Sequence, residues 1–186
     1  MGLLRRWITT SLVLAFGLGG AVLAMQVPAF TEHYLAGLQQ AAGELDRSVA
    51  DRLQSGRTTY NLTGNDRETV AALAPREPSN AATLTRDLNR RDSYAAILTA
   101  TQAQSPVVRP IATGWAISNG PEGWNSPVLA TALASYEAGI ALTPAAVLWG
   151  LGGLIIGVLV AQVLSAPLHI HRPPRPVVVV DRSHLL

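Results

Sequence analysis

Residues 141–164 read ALTPAAVLWGLGGLIIGVLVAQVL, 24 residues without one charged side chain. No other feature of the chain narrows its fold as much. At about 1.5 Å rise per residue, a helix of this length matches a hydrocarbon layer ~30 Å thick. Pro144 falls in the first turn, where its missing N–H costs little, and Thr143 before it suits a cap. A second uncharged run, Trp7 to Val27, lies near the other end, with Trp7 placed as an interfacial anchor. A signal peptide is the competing reading of that run, with Arg5-Arg6 as its basic start and Ala-Val-Leu-Ala before Met25 as a cleavage site. The run exceeds the ~7–15 residues of a signal core, which favours an uncleaved span.

The charges then orient the pair. Residues 1–6 carry Arg5 and Arg6 and no acid, and residues 165–186 carry three Arg against Asp181. Residues 28–143 carry nine Arg against eleven acids. Short basic flanks stay cytoplasmic, whereas long connections translocate largely regardless of charge. Both termini are therefore expected in the cytoplasm and the middle outside it. The full chain has 186 residues, 14% of them charged, a net charge of +2 and a mean hydropathy of +0.24. That balance excludes a disordered polyelectrolyte and gives no electrostatic case for nucleic acid. The absence of cysteine excludes disulfides, iron–sulfur clusters and thiolate zinc sites.

The middle reads as helix. Phe30, Tyr34, Leu38, Ala41, Leu45, Val49 and Leu53 step by three or four along residues 28–56, one face of a helix that either starts at Pro28 or continues the first span through a kink there. A turn follows at 57–64, and Asn65 with Glu68 has the spacing of a capping box. Asn80 suits the cap of a third helix whose face is Leu84, Leu88, Arg91, Ala95 and Leu98, with Asp87 and Arg91 four apart as a surface pair. Ser126-Pro127 opens a fourth helix, 128–142, feeding the second span. Between them, 105–126 is rich in Pro, Gly and Trp and reads as an irregular loop. Its Trp115 and Trp124 either pack beneath the helices or lie in the headgroup layer.

Candidate chemistry is sparse. Neither span contains Asp, Glu, Lys, Arg or His, so intramembrane ligation by histidine, proton relay or ion conduction by this chain alone is not expected. His33 reads as a solvated or interfacial side chain, with a quinone or metal contact as the alternative, and His169 and His171 as part of an extended tail without a completing carboxylate. No phosphate loop, nucleophile elbow, zincin or calcium motif occurs, so neither enzymatic activity nor a cofactor is expected. The spans offer packing instead. Gly153 and Gly157 form a small-xxx-small pair, as do Gly17 with Ala21 and Gly20 with Ala24. These faces either join the two spans or receive a partner protein. In the tail, Arg172 and Arg175 are placed for anionic lipid, and Val177, Val178, Val179 and Val180 for strand addition to a partner.

Two motifs carry a resemblance. Gln26-Val27-Pro28-Ala29-Phe30 after a glycine-rich span, and Leu142-Thr143-Pro144 with Trp149-Gly150 opening the next, resemble a bacterial inner-membrane family of uncharacterised function with two spans around a helical segment. The resemblance implies architecture and location and supplies no activity. The expectation is thus an all-α membrane protein with two transmembrane helices, 7–27 and 141–164. It has cytoplasmic ends at 1–6 and 165–186 and a periplasmic helical region at 28–140. Its expected partners are membrane lipids and other integral membrane subunits, as in a respiratory or photosynthetic assembly. A self-contained module binding lipid, envelope or a small ligand is the alternative.

Overall fold

The computed structural model describes residues 2–120, 122–139 and 142–166. All regular structure among them is helical. The first helix, α1, runs unbroken from Gly2 to Tyr60, 59 residues and roughly 90 Å. It is the axis on which everything else packs. Pro28 lies inside it without ending it. The ring leaves the Ala24 carbonyl without its usual helical donor, but Pro28 is buried, and the Thr31 hydroxyl donates to the Val27 carbonyl just before it at 2.8 Å. Of the two sequence readings, continuation through Pro28 is the one observed.

The chain turns at Asn61, in the left-handed region at φ 50°, and at Gly64, φ 123°. Helix α2 (Asp66–Leu73) then starts on a complete capping box. Asn65 accepts from the Glu68 N–H at 3.0 Å, and Glu68 accepts from the Asn65 N–H at 3.0 Å. Helix α3 (Pro78–Gln102) begins two residues before the expected Asn80, because Pro78 fits the first helical turn. Asn80 instead donates its side-chain amide to Glu77 at 2.8 Å.

Two expectations need correction. The 105–126 segment is not an irregular loop: it contains helix α4 (Arg109–Asn119) followed by a short 3-10 turn, Gly123–Asn125. Pro110 occupies the tolerated first turn, and Pro110, Thr113 and Ile117 make one buried face at helical spacing. Tertiary burial of that face outweighs the glycines that suggested a break. The helix expected over 128–142 is shorter: α5 (Pro127–Ser135) ends where Tyr136 turns extended, φ −72° and ψ 119°. The Tyr136 ring meets Phe30 edge-on, centroids 5.3 Å apart. The last helix, α6 (Pro144–Ser165), starts afresh on Thr143, whose hydroxyl accepts from the Ala146 N–H at 3.2 Å.

The outer half of α1 carries two cores. The one nearer α6 gathers Tyr34, Leu35 and Leu38 with Tyr94, Ile117, Leu129 and Ala132. The distal one gathers Val49 and Leu53 with Val70, Leu73, Ala81, Leu84 and Leu88. The face of α3 thus drifts from Leu84 and Leu88 to Tyr94 and Thr101, leaving Ala95 exposed. The expected Asp87–Arg91 pair is replaced by pairs between helices. Asp87 meets Arg52 at 3.4 Å, and Arg91 reaches Asp46 at 3.3 Å and Asp66 at 3.4 Å. Once α1, α2 and α3 pack, carboxylates on neighbouring helices lie nearer these guanidinium groups than the one a helical turn away.

Candidate functional site

Helix α6 lies antiparallel against the inner half of α1. Its buried face consists only of small residues: Ala145, Ala146, Gly150, Gly153, Gly157, Ala161 and Ser165. Opposite them lie Gly17, Gly20, Ala21 and Ala24. A Cβ placed on Gly20 would stand 2.5 Å from the Gly153 carbonyl oxygen. One on Gly153 would strike Gly20 O, and one on Gly157 would strike Phe16 O. All six small residues singled out in the sequence therefore meet in one seam within the chain. Their faces are spent on joining α1 to α6.

What faces outward is bulky and apolar: Leu14, Leu18 and Leu23 on α1, and Leu151, Ile155, Ile156 and Val163 on α6 are all exposed. In the most apolar windows of α1 and α6, only 6% and 17% of residues are buried. A core helix of a water-soluble protein would be mostly buried. These two are long and apolar enough to cross a membrane. Trp7 is exposed at the inner end of α1.

Above this hairpin, two concavities share Arg90 and Tyr94. The smaller, about 250 Å³, lies between α1, α3 and the end of α4, with Tyr34, Tyr94, Ile97 and Ile117 as its floor and Arg86 and Arg90 at its rim. Glu122 anchors it. One Glu122 oxygen takes the Arg90 Nε at 2.6 Å, and the other accepts from the Tyr94 hydroxyl at 3.1 Å. Burial first, then the charge and hydrogen bond of Glu122, push the Tyr94 phenol up to about 12. Tyr34 is raised by the same causes, burial and the nearby Glu122 charge. Ser126, 6% exposed, lines the cleft with a buried hydroxyl that has no partner among the described residues. The larger concavity, about 690 Å³, is an open groove along α1 from His33 to Ser48 beside α5. His33 is exposed, as expected, and its Nε2 is 3.1 Å from the Ser135 hydroxyl.

Sequence reasoning named none of the cleft residues as a site. One signal was available. Glu122 is the sole acid between Asp92 and Glu137, and a lone carboxylate inside an apolar segment needs a partner. The two tryptophans of that segment do not pack beneath the helices: Trp115 is 73% and Trp124 65% exposed. Among the described residues no three His, Asp or Glu side chains gather to hold a metal ion. Arg172, Arg175, Val177, Val178, Val179, Val180 and the two tail histidines lie outside the described residues. Comparison with protein-family models, with curated proteins and with solved structures gives no match.

Proposed function

We propose that this chain is an integral protein of the bacterial inner membrane, termini in the cytoplasm and helices α2–α5 in the periplasm. There it serves as a non-enzymatic accessory or scaffold subunit of a larger membrane complex. The motif resemblance and the arginine asymmetry support the location. The open groove on α1 is the observation that carries the role. It follows four turns of a helix that enters the hairpin without a joint, so a segment docked there is held at a fixed height and angle to the bilayer. Its lining mixes Ala36, Ala41 and Val128 with Gln40, Glu44 and Ser48, so it offers a docked segment both apolar contact and hydrogen-bonding groups. Native mass spectrometry of the chain purified in lipid nanodiscs tests this. Stoichiometric co-migration with another membrane protein is expected, lost in Ala36→Trp, which fills the groove from an exposed position. A lone monomer or homodimer overturns it.

One observation favours a second reading, a membrane-anchored binding module. The Ser126 hydroxyl is buried without a partner among the described residues, and the exposed Arg86 guanidinium at the rim of the same cleft makes no hydrogen bond or ion pair with a described residue. A small amphipathic anion, its apolar body over Ile97 and Ile117, would satisfy both groups. The same spectra distinguish the readings, since a lone chain carrying a small molecule released by Arg86→Gln favours this one.

A further inference from the structure

We infer that the base of the external helical region is sunk into the headgroup layer, with the turn before α4 reaching the edge of the hydrocarbon. The inference rests on the membrane-spanning reading of α1 and α6. The Trp149 indole on α6 donates its Nε1–H to the Val107 carbonyl at 2.9 Å. Trp149 is five residues into α6, about 7.5 Å from its start. Its neighbour Gly150 faces Met25 and Ala21, still within the first apolar run. Val107 is therefore held level with the outer end of the hairpin and not above it.

From that level α4 climbs rather than lying flat. Arg109 pairs with Glu32 at 2.6 Å, one turn beyond Pro28, and Ile117 reaches the core at Tyr34 and Leu38. Val107 and Val108 in the turn before α4 and Ile111 in its first turn are exposed and continue the apolar exterior of the hairpin upward, and Leu133 and Leu142 are exposed as well. Charge placement agrees. Residues 44–92, which form the distal half, hold eight acids and eight arginines. Between Asp92 and Glu122 only Arg109 is charged, and from 28 to 43 only Glu32 is acidic. Those two neutralise each other, and the link from α5 to α6 adds a single exposed acid, Glu137. A surface that must leave water for headgroups sheds most of its charge.

The chain has no cysteine, so single nitroxide labels can be placed without other changes. V108C, I111C and L142C, with A71C on distal α2 and I156C on α6 as references, are labelled and reconstituted into phosphatidylethanolamine–phosphatidylglycerol vesicles. Collision with oxygen and with a water-soluble nickel chelate reports depth. Labels at 108, 111 and 142 are expected several-fold less accessible to nickel than at 71, and less exposed to oxygen than at 156. Nickel accessibility at 108, 111 and 142 equal to that at 71, with 156 in hydrocarbon, overturns the inference alone. Low accessibility to both probes at 108 and 111 also overturns it, because protein and not lipid then covers these positions. Water-like behaviour at 156 overturns the spanning reading itself.

Discussion

Replacing Gly153 by valine measures what holds the hairpin together. The atoms a new Cβ would meet are backbone, the Gly20 carbonyl oxygen and carbon, together with the Ala24 methyl. None can rotate aside as the end of a flexible side chain can. The reciprocal approach, from Gly20 to the Gly153 oxygen, is 2.5 Å, against about 3.4 Å for ordinary contact, so the helices have to separate by about 1 Å. A gap of that size forfeits about a quarter to a half of each dispersion contact across the seam. It also weakens Cα–H···O contacts worth ~0.5–1 kcal/mol each. With little hydrophobic drive between helices in lipid to offset the loss, the expected cost is about 1–3 kcal/mol. The internal controls are Gly19→Val and Gly152→Val. A Cβ at either meets nothing within 4 Å, so both are expected near neutral. Gly150→Ala should fall between, because it meets the Met25 side chain, which can move. The assay is reversible unfolding in mixed detergent–lipid micelles, followed by fluorescence of Trp149 with phenylalanine at Trp7, Trp115 and Trp124. A Gly153→Val curve within about 0.5 kcal/mol of the parent, or an equal cost at Gly152, would falsify the packing argument.

Other outcomes follow from helices α2–α5 and the cores they form on α1. Tyr94 at about 12 lies above the ordinary phenol value of 10.0, so the unfolded chain loses that proton first. Its contribution to stability is complete below pH 10 and disappears as the pH rises toward 12. Absorbance titration at 295 nm should show late-titrating phenols, since Tyr34 and Tyr60 are also raised, with the Tyr94 component lost in Tyr94→Phe and shifted down in Glu122→Gln. Asn65→Ala removes the side-chain half of the α2 capping box, leaving the residue-65 N–H on the Glu68 carboxylate, and should cost about 1 kcal/mol in thermal unfolding of helices α2–α5; an unchanged midpoint would show that the cap is idle. Leu84→Ala, at a fully buried position of the distal core, should cost about 2–5 kcal/mol. A cost under 1 kcal/mol would mean that this core repacks. Arg91→Met should cost only about 1 kcal/mol, less at high salt, because its carboxylate partners are partly exposed; a larger, salt-independent loss would contradict a surface network.

Local rules read from the chain explain the parts that depend on neighbours in sequence. The two uncharged runs, the Phe30-to-Leu53 face, the Asn65–Glu68 box and the Thr143-Pro144 helix start were all legible. Each depends on residues within a turn or two, or on bulk transfer of one helix out of water. What the tertiary structure decided needed contacts between distant segments. Only the antiparallel docking of α6 on α1 shows that the glycine faces meet each other. Only burial of Pro110, Thr113 and Ile117 makes a helix from a stretch that composition presents as a loop. The partners of Arg91 and Asp87, and the joining of Glu122 with Arg90 and Tyr94, are likewise set by which helices lie side by side. Electrostatic pairing follows distance in space, and separations of some thirty residues along the chain say nothing about that distance until the core has formed.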